Sequence, residues 1–206
     1  MNALQADLIH KTTMGYEQPI TIHAPPKTDL WSKPPNTNIH NEPNNLFPID
    51  INRFHSARVT VSAEWSTLYD QGGLLISIPD ENTTRWVKAG FEYVSGKPYV
   101  GSVATSPWSD WALAPLGKET TKVTIQLERE VKNGKRGESL WVYIIDEETG
   151  EKQGIREITW WFGPGVSRES LIGVYAARPG VPQGTGREHD ELVVKFEGFE
   201  VKLFDD

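Results

Sequence analysis

Along most of this chain, apolar and polar residues alternate in short runs broken by turn residues. Arg58–Trp65 alternates, and so does Leu74–Ile78. Further runs of this texture are Arg85–Val94, Lys97–Thr105, Trp108–Leu113, Lys122–Glu130, Ser139–Asp146, Ile155–Phe162, Leu171–Arg178 and Leu192–Phe204, with a short first run at Ile20–His23. Period-two alternation marks strands with one face buried, because successive side chains on a strand point to opposite sides. No window keeps apolar residues at i, i+3, i+4 and i+7 over the length of a helix. Roughly ten or more strands at this spacing predict an all-β, two-sheet antiparallel jelly-roll sandwich.

The punctuation supports the same reading. Ser95-Gly96 makes a tight hairpin, and Gly150 in Glu147-Glu148-Thr149-Gly150 suits a positive-φ hairpin position. Pro79-Asp80-Glu81-Asn82 is a turn cluster, and Lys132–Gly137 is a short, Gly-broken hairpin loop. Residues 1–19 read as an N-terminal extension, and 20–206 as a single sandwich domain. Ala24–Pro48, rich in Pro and Asn, suits neither a central strand nor a helix, since Pro fixes φ and lacks the N–H. Trp31 within it is expected to pin the segment to the body of the domain.

Alternation also sorts the faces. From Arg85 onward, Val87, Ala89, Phe91 and Tyr93 belong to the core, leaving Trp86, Lys88, Gly90 and Glu92 on the opposite side. Lys88 and Glu92, four residues apart on a strand, are too distant to pair without a neighbouring strand. Ile172, Val174 and Ala176 share one side, and Gly173, Tyr175 and Ala177 the other, a small-large-small surface. Trp160 and Trp161 must diverge if both lie on a strand. Ile158 and Phe162 accompany Trp160, which assigns Trp160 to the core and makes Trp161 a platform candidate.

Composition narrows the functions. The net charge of −7 offers no basic stripe to displace counterions, which argues against a nucleic-acid or anionic-membrane partner. With no cysteine in the chain, disulfides, thiol catalysis and Cys-ligated zinc are excluded, and a reducing, cytoplasmic setting suits the composition. No run approaches the ~20 apolar residues of a membrane helix.

Candidate chemistry is sparse. The five histidines, His10, His23, His40, His55 and His189, show no local metal-pair spacing, and Asp80-Glu81-Asn82 and Asp205-Asp206 have no recognisable calcium-loop order. No metal or cofactor is assigned. Walker loops, nucleophile elbows and dinucleotide fingerprints are absent from the sequence. Glycoside hydrolysis needs paired carboxyl groups about 5–5.5 Å or 6.5–9.5 Å apart. Glu188-His189-Asp190-Glu191-Leu192-Val193 approaches a glucanase strand motif but has Val193 where the second Glu belongs. Glu64, Asp70, Glu92 and Asp110 remain as carboxylates able to converge from different strands.

Several stretches in order resemble one family: Thr28-Asp29-Leu30-Trp31, Tyr69-Asp70-Gln71-Gly72-Gly73-Leu74, Trp86–Tyr93, Ser102–Thr105, Ser109-Asp110-Trp111, Gly173–Ala177 and Val194–Phe199. They look like the concanavalin A-like family named after the regulation-of-enolase protein. The resemblance runs from about Thr28 onward and implies a lectin/glucanase-type jelly roll. It departs after Trp31, where Pro34-Pro35-Asn36 replaces a His-Tyr-Gly-Phe-like stretch. Together these readings lead to a non-catalytic intracellular protein of carbohydrate metabolism, binding a sugar-like ligand or a glycolytic enzyme such as enolase on a concave sheet face. Tyr69, Asp70, Gln71, Trp86, Lys88, Glu92, Asp110, Trp161 and Tyr175 are the candidate binding residues, with no catalytic residue assigned. The alternative is a sugar-active enzyme with carboxylates in that groove.

Overall fold

The computed structural model describes residues 12–79, 84–163 and 169–205. Its strands are Thr12–Gly15 (β1), Ile20–Ala24 (β2), Leu30–Lys33 (β3), Thr37–His40 (β4), Asn44–Asp50 (β5), Phe54–Ser62 (β6), Gln71–Ile78 (β7) and Arg85–Val94 (β8). They continue with Lys97–Thr105 (β9), Ser109–Pro115 (β10), Lys122–Lys132 (β11), Lys135–Ile145 (β12), Lys152–Ile158 (β13), Glu169–Ala177 (β14) and Leu192–Leu203 (β15). A 3-10 turn at Ile51–Arg53 links β5 to β6.

Among the described residues, one sheet has seven strands in the order β1-β15-β6-β11-β12-β13, with β2 also paired to β15. The second has six, in the order β10-β9-β8-β7-β14-β5. All strand pairs within the sheets are antiparallel. This is the expected jelly-roll sandwich of the lectin/glucanase kind. Residues 12–15 of the stretch read as an extension form β1 against the end of β15.

The core lies between the sheets. Val87, Ala89 and Phe91 enter it from β8, and Ile172, Val174 and Ala176 from β14, as alternation requires. Phe54, Ile125, Leu127 and Phe196 face them from the other sheet. Each such side chain contributes about 1.5–3 kcal/mol by leaving water. Hairpins close where the turn chemistry allows. Ser95-Gly96 and Asn133-Gly134 both carry positive φ at two successive residues, the geometry that matches strand twist.

Two features depart from the sequence reading. The proline-rich segment does form strands, but not central ones: β5, which contains Pro48, is a sheet edge, and β3 with β4 makes a separate hairpin. The tryptophan pair is reversed. β13 ends at Ile158, so Trp160 and Trp161 sit in a turn where strand alternation no longer applies. The turn sends Trp161 into the core with no exposure, and Trp160 is the exposed one, at 38%. Trp161 is therefore no platform. Of the other expectations, Asp80-Glu81-Asn82, His10 and Asp206 lie outside the described residues.

Candidate functional site

The outer face of the six-stranded sheet, turned away from the core, carries the site. Strand register arranges its side chains in cross-strand rows. One row runs Leu75, Lys88, Val103, Trp111 across β7, β8, β9 and β10. The next is glycine on three strands in succession: Gly73, Gly90, Gly101. The third holds Gln71 and Glu92.

The glycine row lets the other two meet. Residues two apart on a strand are separated by one full pleat repeat, so Gln71 and Lys88 reach each other only by leaning across Gly73 and Gly90. Glu92 leans likewise across Gly101 toward Trp111, and a Cβ at Gly101 would stand 1.9 Å from Glu92 Oε2. At Gly73 and Gly90 a Cβ would run into backbone of the adjacent strand, at 2.2 and 2.0 Å. No larger residue fits there without moving a strand.

Over this face lies the β3–β4 hairpin. Leu30 packs with Leu75, Trp86, Val103 and Tyr175 in a second, smaller apolar cluster, joined at its edge by Trp31 and Leu46. The Ser109 hydroxyl accepts from the Ser32 backbone N–H at 3.0 Å, tying hairpin to β10. Lys88 is the central tether. Its buried ammonium donates to the Leu30 carbonyl at 2.7 Å, to Gln71 Oε1 at 2.8 Å and to Asp29 Oδ1 at 3.3 Å. An ammonium has three protons, so all of them are used. The Tyr175 hydroxyl donates to the same Gln71 oxygen at 3.3 Å, and Gln71 Nε2 donates to the Tyr69 carbonyl at 3.2 Å.

Between hairpin and sheet there is a cavity of about 310 Å³. Trp31, Tyr69 and Trp111 form its aromatic walls, and Gln71, Lys88, Glu92 and Asp29 its polar lining, with Val103 and Lys33 completing it. Trp111 meets Trp31 edge-on with centroids 6.3 Å apart, and Tyr69 edge-on at 6.1 Å. Trp111 Nε1 donates to Glu92 Oε2 at 3.0 Å. Glu92 is only 7% exposed. Burial raises its pKa above the usual carboxylate range, partly offset by the Lys88 charge and the Trp111 bond. Burial also lifts Tyr175 well above an ordinary phenol, with Glu92, Asp29 and Glu42 adding to it.

The predicted site residues thus divide. Tyr69, Gln71, Lys88 and Glu92 line one cavity. Tyr175 lies beneath it and orients Gln71, with 2% of its surface exposed, so it is no stacking surface. Trp86 is also removed from that role: at 1% exposure it is part of the cluster under the hairpin. Asp70 is fully buried and held by Arg178 through Nε–Oδ1 and Nη2–Oδ2 bonds, both 2.8 Å. Asp110 points away from Trp111, is 80% exposed, and pairs with Arg156 at 3.2 Å. With the Asp110 carboxylate in solvent, the pair adds little to stability.

Asp29, Trp31, Lys33, Val103 and Trp111 were missed as lining residues. Trp31 and Trp111 sit inside the motifs that carried the resemblance, and that proximity was the available signal. Among the described residues, no group of three or more metal-ligating side chains converges. No helix there is long and apolar enough to cross a membrane.

Fold and site together define a jelly-roll sandwich carrying a hairpin-roofed, polar and aromatic cavity on the outer face of one sheet. The chain belongs to the DUF1349 family, described as a protein of unknown function, whose match spans residues 10–203. It is 40% identical over 186 residues to an uncharacterised protein of Emericella nidulans, covering 90% of this chain and 86% of that one. It is 30% identical over 98 residues to Regulation of enolase protein 1 of Saccharomyces cerevisiae, covering 48% of each. Among solved structures, a functionally unknown protein from Saccharomyces cerevisiae aligns with a TM-score of 0.67 at 21% identity, over 92% of this chain and 90% of the other. A GH43 protein of Bacillus licheniformis aligns at 0.57 and 12% identity, over 90% of this chain but 32% of that one. At these identities the structural likeness speaks for the fold alone.

Proposed function

We propose that this protein is a non-catalytic binding protein that takes a small, sugar-like ligand into the cavity beneath the β3–β4 hairpin. One observation carries the reading: a buried carboxylate, Glu92, is held through one oxygen by Trp111, while its other oxygen takes no hydrogen bond among the described residues. That second oxygen is open to the cavity rather than sealed in protein, so a ligand hydroxyl or ammonium can reach it and hydrogen-bond to it. Trp31, Tyr69 and Trp111 supply apolar walls, and the cavity is at the small end of the range for ligand sites. Similarity to the regulation-of-enolase protein favours a regulatory role in cytoplasmic carbohydrate metabolism, with a glycolytic enzyme such as enolase as a partner.

Calorimetric titration with a panel of neutral and amino monosaccharides and glycolytic intermediates tests this directly. Binding of one class, lost in Trp111→Ala, is the expected result. Silence across the whole panel removes the ligand reading and leaves the partner reading to be tested by pull-down with enolase.

A sugar-active enzyme is the second reading, because Asp29 and Glu92 both line the cavity and differ in environment. Asp29 is ion-paired to Lys88, whereas burial pushes Glu92 toward its protonated form. Pairs of that kind divide acid and base roles in glycosidases. Release of aryl alcohol from aryl glycosides, abolished in Glu92→Gln, would establish it.

A further inference from the structure

We infer that the ligand of this cavity carries an ammonium group, held between the Glu92 carboxylate and the aromatic walls. The inference rests on the binding reading above and names the chemistry of its ligand.

Lys88 has no proton left, since its three go to Leu30, Gln71 and Asp29. Gln71 Oε1 accepts from both Lys88 and Tyr175, so both its lone pairs are occupied. The ammonium that looks like the obvious anion receptor is thereby a strut, closed to a ligand anion. What stays open is mostly acceptor. Glu92 Oε1 takes no hydrogen bond among the described residues, and Asp29 uses only Oδ1, which accepts from Lys88 and from the Leu30 N–H.

The walls agree with a cation. Trp31 and Tyr69 each meet Trp111 nearly at right angles, 85° and 76°. Three rings at such angles line a corner rather than a flat stacking shelf. Ring faces attract cations, and a corner of aromatics beside a carboxylate is how ammonium groups are recognised in water. The protein already does this on a neighbouring spot, where Lys88 Nζ stands 5.7 and 5.8 Å from the Trp86 and Tyr175 rings. Lys33, the remaining cation of the lining, is exposed, so water and salt screen it.

The shared chemistry, an ammonium, has two sources: an amino sugar or an alkylammonium compound without a sugar ring. Calorimetry with glucosamine, glucose, N-acetylglucosamine and choline separates them. Glucosamine is expected to bind at least about tenfold more tightly than glucose or its own N-acetyl form. Glu92→Gln, which keeps an acceptor for Trp111, is expected to erase that preference. Trp31→Leu, a change on the hairpin that leaves Glu92 untouched, is expected to weaken glucosamine binding without unfolding the chain. Equal affinity for glucosamine and glucose overturns the ammonium inference and leaves the sugar reading standing. Choline binding with no sugar binding supports the ammonium and overturns the sugar reading. No binding by any of the four overturns both.

Discussion

Arg178 grips Asp70 through two parallel hydrogen bonds of 2.8 Å, with both side chains out of solvent. The pair sets the geometry of the cavity wall. Asp70 Oδ2 also accepts from the Ser66 and Thr67 backbone N–H groups, at 3.0 and 2.9 Å, which folds the loop that presents Tyr69. Tyr69 itself stands at φ of 67°, uncommon for a residue with a side chain, and is held there by its N–H to the Tyr93 carbonyl at 2.8 Å. Arg178 reaches the other wall as well: its backbone N–H donates to Thr28 Oγ1 at 2.9 Å, just ahead of the hairpin.

Breaking this pair is expected to be costly. Arg178→Ala leaves a buried carboxylate without its countercharge and should lose about 3–5 kcal/mol in urea denaturation. If the loss stays below about 1 kcal/mol, the pair is not the anchor described here.

Removing the Lys88 strut should loosen the roof before it unfolds the sandwich. Lys88→Met takes three hydrogen bonds from Asp29, Leu30 and Gln71, at a cost of about 1–3 kcal/mol. Amide hydrogen exchange is expected to speed up across residues 30–40 while β8 and β14 stay protected.

Gly101→Ala tests the glycine row. The added methyl would stand 1.9 Å from Glu92 Oε2, so the carboxylate must swing off and its bond to Trp111 must break. Loss of exchange protection at the Trp111 indole N–H, assigned with Trp111→Phe, is the signature. An unchanged indole signal would mean that Glu92 tolerates the methyl in place.

Burial of Glu92 makes the stability of the fold fall as pH rises. Its folded pKa is raised by burial, so the folded protein holds this proton more tightly than the unfolded chain does. Below the ordinary Glu range both forms are protonated and the group is neutral to stability. As pH rises from that range through the raised value, the unfolded chain releases its proton first and stability falls. The difference in melting temperature between wild type and Glu92→Gln should therefore shift against the wild type across this window. A flat difference, or one that moves the other way, contradicts the assignment.

The tryptophan pair offers a simple check of the fold. Trp161→Ala should cost about 3–5 kcal/mol, as expected for emptying a core site. Trp160→Ala, at a half-exposed turn position, should stay within about 0.5 kcal/mol.

Strands β1, β3, β4 and β5 were not legible in the sequence, whereas the strands from β6 onward, the sandwich and the division of β8 into a core face and an outer face were. They follow from a local rule, the two-residue repeat of a strand, which needs no knowledge of neighbours. The same rule failed at Trp160-Trp161 because the strand stops two residues earlier, and where a strand stops depends on its partner in the sheet. The site lay beyond local rules altogether. Asp29, just ahead of the hairpin, meets Lys88 59 residues further along the chain, and Trp31 within it meets Trp111 80 residues further along. Only the fold of that hairpin over the sheet takes two of the three protons of Lys88, leaving the third to Gln71, and buries Trp86 against Leu30. Residue types supplied the charges and rings; register and the glycine row decided which of them face one another.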